Sequence, residues 1–146
     1  MTREGQPHTG FPPTVLGHGV DLTEVSRVLD LIEKHGESFL ERCFTQAEAE
    51  YASDSKRFGE HLAARFAAKE AVLKALGTGL TSGISWQDIE VIRSPLGKPN
   101  IRLSGRAHDI AAELGITHWH LSLSHTAGLA MASVIATGPP RIEQGG

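Results

Sequence analysis

At 146 residues, with a formal charge of −3 from 14 basic and 17 acidic side chains, the chain has the length of one domain and lacks the basic surplus that draws a protein onto nucleic acid. No apolar run approaches the roughly 20 residues of a membrane-spanning helix, and the opening MTREGQPHTGFPP lacks the apolar stretch of a signal peptide. The expectation is a soluble, cytoplasmic protein, and the lone Cys43 excludes an intrachain disulfide or a cysteine-rich zinc site. The eight histidines are scattered in no ligand spacing such as HExxH.

Residues 1–13 hold three of the seven prolines and two glycines, and 138–146 (GPPRIEQGG) are equally poor in apolar periodicity, so both read as flexible tails around a domain spanning 14–137. TVLGHGVDL reads as a first strand from Thr14. Thr23 is placed to cap a helix in which Val25, Val28, Leu29 and Ile32 form an i, i+3, i+4, i+7 stripe, with Gly36 ending it. A short segment through Phe39 and Leu40 follows, and then Thr45 and Glu48 have the T-x-x-E spacing of a capping box that starts a helix running to about Ala52. Glu60 to Gly77 is a strong helix signal, rich in Ala, Leu, Glu and Lys. After a glycine-rich turn from Gly77 to Gly83, ISWQDIEVIRS reads as a strand, and the turn SPLGKPN returns it into NIRL as a hairpin. RAHDIAAELG reads as a helix. In HWHLSLSH, Trp119, Leu121 and Leu123 alternate with His120, Ser122 and Ser124, and a tight turn near Thr126 to Gly128 joins this strand to a covered partner, GLAMASVIA. The fold class is α+β, an antiparallel sheet packed with helices.

Chemistry concentrates on the helix around Lys69 and Glu70. At about 100° per residue, the apolar arc of Leu62, Phe66 and Leu73 also contains Glu70, so this carboxylate is expected to point inward or into an interface, where it needs a hydrogen bond, a charge or a metal. Lys74 at i+4 offers a plain helix-surface ion pair as the alternative. Arg65 and Lys69 add positive charge along another side. Six alanines (Ala63, Ala64, Ala67, Ala68, Ala71, Ala75) keep one surface thin enough for close approach of another backbone or a large ligand, or serve only propensity and packing. Asp21, at the end of the first strand, fits either ordinary turn chemistry or a site. Asp21 and Glu70 together would suit magnesium, which takes one or two protein carboxylates and completes its shell with water and phosphate oxygens.

GHGVDLTEVSRV, FTQAEAEY, RFAAKEAVLKALGTG, SPLGKPNIRLSG and SLSHTAGLAMASVI resemble, in order, the successive motifs of the holo-acyl carrier protein synthase family, over about Val15 to Ala136. The most specific piece is KEAVLKA, similar to the K-E-A-x-x-K-A signature of phosphopantetheinyl transferases, combined with G-V-D-L and an arginine six residues after the aspartate. The resemblance implies transfer of 4′-phosphopantetheine from coenzyme A to a serine of an acyl carrier protein in support of fatty acid biosynthesis, by a homotrimer with active sites between subunits. It further implies a magnesium ion held by Asp21 and Glu70, with Lys74 at the coenzyme diphosphate, Glu70 and Lys74 as the catalytic pair, and Arg65 and His125 at other phosphates. Lys98 in PLGKP would lie beside the nucleotide, and Arg27 and Arg42 would meet the acidic carrier. By the same resemblance the serine attacks the β-phosphorus, 3′,5′-ADP leaves, and Glu70 or a metal-held water relays the serine proton.

His18 departs from the family pattern by standing where an aliphatic residue is usual, and the tail before Thr14 is longer than normal. A transferase serving polyketide or nonribosomal peptide carriers, a hydrolase of the coenzyme A diphosphate, and a binding module without turnover are the competing readings.

Overall fold

A helix that is apolar around nearly its whole circumference has to be enclosed from several sides, and this requirement organises the molecule. The structure, a computed structural model, describes residues 12–81 and 83–140, so most of both expected tails lie outside the described residues. The chain begins with β1 (Thr14–Glu24) and continues through α1 (Val25–His35), α2 (Glu37–Cys43), α3 (Gln46–Ser53) and the long α4 (Phe58–Leu76). A short 3-10 turn (Trp86–Asp88) leads into β2 (Ile89–Arg93) and β3 (Pro99–Leu103), followed by α5 (Gly105–Glu113), β4 (His118–Thr126) and β5 (Leu129–Gly138). The fold is α+β and its strand pairs are antiparallel, as expected: one sheet has the order β1-β5-β4 and the second is the β2-β3 hairpin.

Twelve of the nineteen α4 residues are buried, which makes it the central element. Its alanine face lies on β1, where Gly17 and Gly19 allow near-contact of backbones: a Cβ on Gly19 would sit 1.8 Å from the Ala71 carbonyl oxygen, and one on Gly17 2.5 Å from that of Ala75. This is the close approach that the thin alanine surface permits. The C-terminal half of α4 shares a core with Ile89, Val91, Ile101, Ile110, Leu121 and Val134, while its N-terminal half packs with Val28, Phe39, Cys43, Phe44 and Ala52.

Several local expectations change. Thr23 does not cap α1, because β1 continues to Glu24; Thr23 is buried and its hydroxyl donates to Asp21 Oδ2 at 2.8 Å. The segment through Phe39 and Leu40 is the helix α2, held by Phe39 in an edge-to-face contact with Phe44 at 5.9 Å. ISWQDIEVIRS is a strand only from Ile89, since Ser85 and Asp88 cap a turn before it. The Thr45–Glu48 capping box forms, and Gly36 and Gly77 end α1 and α4. β4 alternates as expected, and its two-residue turn to β5 places both Ala127 and Gly128 at positive φ. β5 is covered on one face only: Ala130, Ala132, Val134 and Ala136 are buried, whereas Leu129, Met131 and Ile135 lie exposed on the other face with Val20 and Leu22 of β1.

Candidate active site

Inward-facing positions of β1 alternate through Gly17, Gly19, Asp21 and Thr23, so the strand that the two glycines bring against α4 also delivers Asp21 to that helix. Lys74 reaches across to donate to Asp21 Oδ1 at 3.1 Å and to the Val20 carbonyl at 2.9 Å. Its partner is therefore Asp21, and the alternative ion pair with Glu70 does not form among the described residues. Glu70 lies beside this pair, half-buried. Burial raises its carboxyl pKa above the ordinary range, Asp21 raises it further, and Lys74 and Arg27 oppose the rise. Asp21, Glu70, Lys74 and the exposed Arg27 of α1 thus form one cluster where β1 meets α4.

The other expected residues stand elsewhere. Arg65 is 2% exposed, donates from Nη1 to the His61 carbonyl at 3.2 Å and lies 4.4 Å from the centre of the Tyr51 ring, while its buried Nε has no partner. Desolvation lowers its proton affinity, and Glu48 partly offsets this. A cavity of about 190 Å³ at this arginine is lined also by Tyr51, Glu90, Arg93 and Arg102. His125 Nδ1 lies 3.7 Å from Glu60 Oε2 at the start of α4. Lys98 is exposed in the β2-β3 turn, its amide donating to Ser94 Oγ at 3.2 Å. Arg42 is exposed on α2 and borders a cleft with Leu80, Ile84 and Trp86.

Helical geometry explains the separation. Glu70 and Arg65 are five residues apart, about 140° around the axis, and so lie on opposite edges of the Leu62–Phe66–Leu73 stripe. Across the sheet, Asp21 on β1 and His125 on β4 are separated by β5, roughly 10 Å in a two-strand step. One chain thus carries a carboxylate–lysine cluster on one flank and an arginine–histidine cluster on the other.

Sequence reading missed the most deeply buried charge beside that stripe. Lys69 is fully buried and bonds Glu48 Oε1 at 2.7 Å, while Glu70 at the edge is only half-buried. The signal was present, because Lys69 falls between Phe66 and Leu73 at i+3 and i+4 spacing. Tyr51, Arg93 and Glu60 carried no comparable pattern.

Two carboxylates fit a hard, hydrated cation. Asp21 and Glu70 present oxygen donors only, their proximity raises the proton affinity of Glu70, and a magnesium ion needs no more than one or two such ligands. Among the described residues no group of three or more His, Cys, Asp or Glu side chains converges as a metal cage.

Residues 17–134 match the 4′-phosphopantetheinyl transferase superfamily. The holo-[acyl-carrier-protein] synthase of Trichlorobacter lovleyi is 48% identical over 125 residues, covering 86% of this chain and 99% of that protein; the synthase of Geotalea daltonii is 46% identical over 121 residues, covering 83% and 97%. Among solved structures, the Neisseria meningitidis synthase superposes with a TM-score of 0.77 at 34% identity, covering 84% of this chain and 98% of that one. The Helicobacter pylori synthase, solved in complex with coenzyme A, gives 0.72 at 31% identity, covering 82% and 98%. With the matched region spanning β1 to β5 and including every residue of both clusters, the chain belongs to the 4′-phosphopantetheinyl transferase superfamily.

Proposed function

We propose that this chain transfers 4′-phosphopantetheine from coenzyme A to a serine of an apo-acyl carrier protein, releasing 3′,5′-ADP, as a cytoplasmic homotrimer serving fatty acid biosynthesis. The observation that carries the reading is the Asp21–Glu70–Lys74 cluster, in which two carboxylates and one ammonium meet at the junction of β1 and α4. In the reaction the serine Oγ forms a bond to the β-phosphorus as the bond from that phosphorus to the bridging oxygen breaks, leaving the electron pair on the ADP phosphate. Asp21 and Glu70 would hold magnesium, which when bound neutralises charge on the diphosphate. Lys74, 54% exposed at its side chain, has N–H capacity beyond its two bonds and is placed to meet a non-bridging phosphoryl oxygen. Burial and Asp21 raise the proton affinity of Glu70, the direction that suits it to accept the serine proton.

The arginine–histidine flank fits the remaining phosphate. Arg65, held by Tyr51 and His61 with Nε unpaired, and Arg93 at the same cavity offer charge-assisted donors to an anion. Because this flank lies on the far edge of α4 from Asp21, a coenzyme spanning both half-sites is best served by two copies, each contributing one flank. The open face of the β1-β5-β4 sheet, with Val20, Leu22, Met131 and Ile135 exposed, supports the same assembly. Arg27, at the rim of the carboxylate cluster, and Arg42 then provide a basic approach for an acidic carrier.

The deciding experiment is the intact mass of apo-acyl carrier protein after incubation with this protein, coenzyme A and magnesium, with and without chelator. A gain of one phosphopantetheine that disappears with chelator is expected, and Asp21→Ala and Glu70→Ala should each abolish it while leaving the protein folded. Free phosphopantetheine without carrier modification would mark a hydrolase. No product with several carriers would mark a binding module.

A further inference from the structure

Among the described residues Lys69 and Glu48 form an ion pair with 0% exposure at both side chains, and Glu48 also borders the cavity at Arg65. Each of the three N–H groups of Lys69 is used: Nζ donates to Glu48 Oε1 at 2.7 Å, to the Trp86 carbonyl at 3.2 Å and, through a short bond, to the Ile89 carbonyl. Glu48 is as fully engaged, with Oε1 accepting from the Thr45 amide at 2.9 Å and Oε2 from the Val91 amide at 3.0 Å. Two side chains therefore join α4 to the cap of α3, to the 3-10 turn and to two positions of β2. Burial pulls the lysine pKa down, and Glu48 is the main opposing influence.

A pair of this kind is a weak source of stability, because apolar side chains of similar volume commonly fold as well or better at such sites. Its directional bonds define something that apolar packing here does not. The opposite side of α4 is an alanine surface on two glycines, which permits close approach but has few side chains to interlock and resist rotation. The Lys69 bonds point in one direction only. Glu70 is the next residue in α4 and Arg65 lies one turn earlier, while Val91 precedes Arg93 by two residues in β2.

We propose that Lys69 is a positioning residue: its buried bonds to Glu48 and to the Trp86 and Ile89 carbonyls fix the rotation of α4 about its axis, presenting Glu70 and Lys74 to Asp21 on one edge and Arg65 to Arg93 on the other. The inference rests on the transferase reading for its catalytic consequence, but its structural consequence stands independently. No contact of Lys69 with substrate is implied.

The test is the paired apolar replacement Lys69→Met with Glu48→Leu, accompanied by the single variants Lys69→Met and Glu48→Gln. The singles leave one buried charge unpaired and are expected to melt lower; the double variant is expected to fold. Two readouts are taken on the double variant: the Lys74 Nζ–Asp21 Oδ1 contact in its crystal structure, 3.1 Å in the parent chain, and the kcat and magnesium midpoint of carrier modification. The expected result is loss of that contact together with a fall in kcat of about 10- to 100-fold, the scale that follows from displacing catalytic groups by about 1 Å, and a raised magnesium midpoint. A double variant that keeps the contact overturns the inference, whatever its rate, and so does one that loses the contact with kcat unchanged or that fails to fold. If the parent chain itself modifies no carrier, the transferase reading fails while the crystallographic readout still decides the role of Lys69.

Discussion

The substitution Gly19→Ala should separate the two elements that build the carboxylate cluster. Gly19 lies two residues before Asp21 on the same face of β1, and an added Cβ would meet the Ala71 carbonyl oxygen at 1.8 Å, its carbon at 2.8 Å and the Ala75 amide nitrogen at 3.1 Å. All three atoms are backbone, so no side chain can turn aside. Ordinary contact begins near 3.4 Å, and the strand and helix must part by about 1.6 Å at that point. Ala71 directly follows Glu70, so the separation falls almost wholly on the Asp21–Glu70 and Asp21–Lys74 geometry. Overpacking of this kind costs about 1–3 kcal/mol, and a 1 Å displacement of reacting groups costs about 100-fold in rate. Thermal melting and initial rates of carrier modification, compared with Gly115→Ala, check both. Gly115 has φ +79 with only Leu16 Cδ1 at 3.8 Å, so its alanine variant bears left-handed backbone strain without a backbone collision and should keep its kcat. A Gly19→Ala protein that melts and turns over like the parent would refute the close strand–helix contact as the support of the site.

Glu70→Gln should stabilise the metal-free protein at neutral pH. Burial and Asp21 raise the folded-state pKa above the unfolded value, so the folded form holds its proton longer; the stability penalty of the ionised carboxylate is absent below the unfolded pKa and complete above the folded one. The melting advantage of the glutamine variant should therefore vanish as pH falls through that window, and an advantage independent of pH would remove the electrostatic explanation. Leu22→Glu places a charge on the exposed sheet face, where Leu22 is 64% exposed and pairs in register with Met131, and sedimentation should show the proposed trimer for the parent and monomers for the variant. An intact trimer would place the subunit contact elsewhere. Thr45→Ala removes one half of the α3 capping box, in which Thr45 Oγ1 accepts from the Glu48 amide at 3.2 Å. The expected cost is about 1 kcal/mol, read by denaturant unfolding.

Most elements were legible because each is specified by short-range signals. The Thr45–Glu48 box, the glycines after α1 and α4, and the alternation of Trp119, Leu121 and Leu123 all act within one or two turns or a single strand, and all appear where local chemistry places them. Local signals failed where a longer-range partner won. Thr23 has the right residue type for an N-cap, but pairing of Asp21, Leu22, Thr23 and Glu24 with Ala132, Met131, Ala130 and Leu129 keeps it in β1, and its hydroxyl turns to Asp21. In β5 every residue is compatible with burial, and only the register of the sheet shows which face α4 covers and which face stays open.

The carboxylate cluster was read from Asp21 and Glu70 before their proximity was visible, yet the helix-wheel logic that drew attention to Glu70 applied more strongly to its neighbour. At about 100° per residue Lys69 lies about 20° outside one edge of the Leu62–Phe66–Leu73 arc and Glu70 about 40° outside the other, with Arg65 farther round on the Lys69 side. A half-buried carboxylate such as Glu70 is desolvated enough to raise its proton affinity, whereas the fully buried Lys69 demands complete satisfaction by the protein itself. Lys69 meets that demand through Glu48 and the Trp86 and Ile89 carbonyls, residues 17 to 21 positions away in sequence. Burial therefore divides the charges of α4: Lys69 is satisfied wholly within the protein, Arg65 is 2% exposed and held by the His61 carbonyl and the Tyr51 ring, Glu70 is half-buried and Lys74 is exposed. In the proposed reaction Glu70 and Lys74 on one flank of this helix and Arg65 on the other are the groups that would meet the substrate.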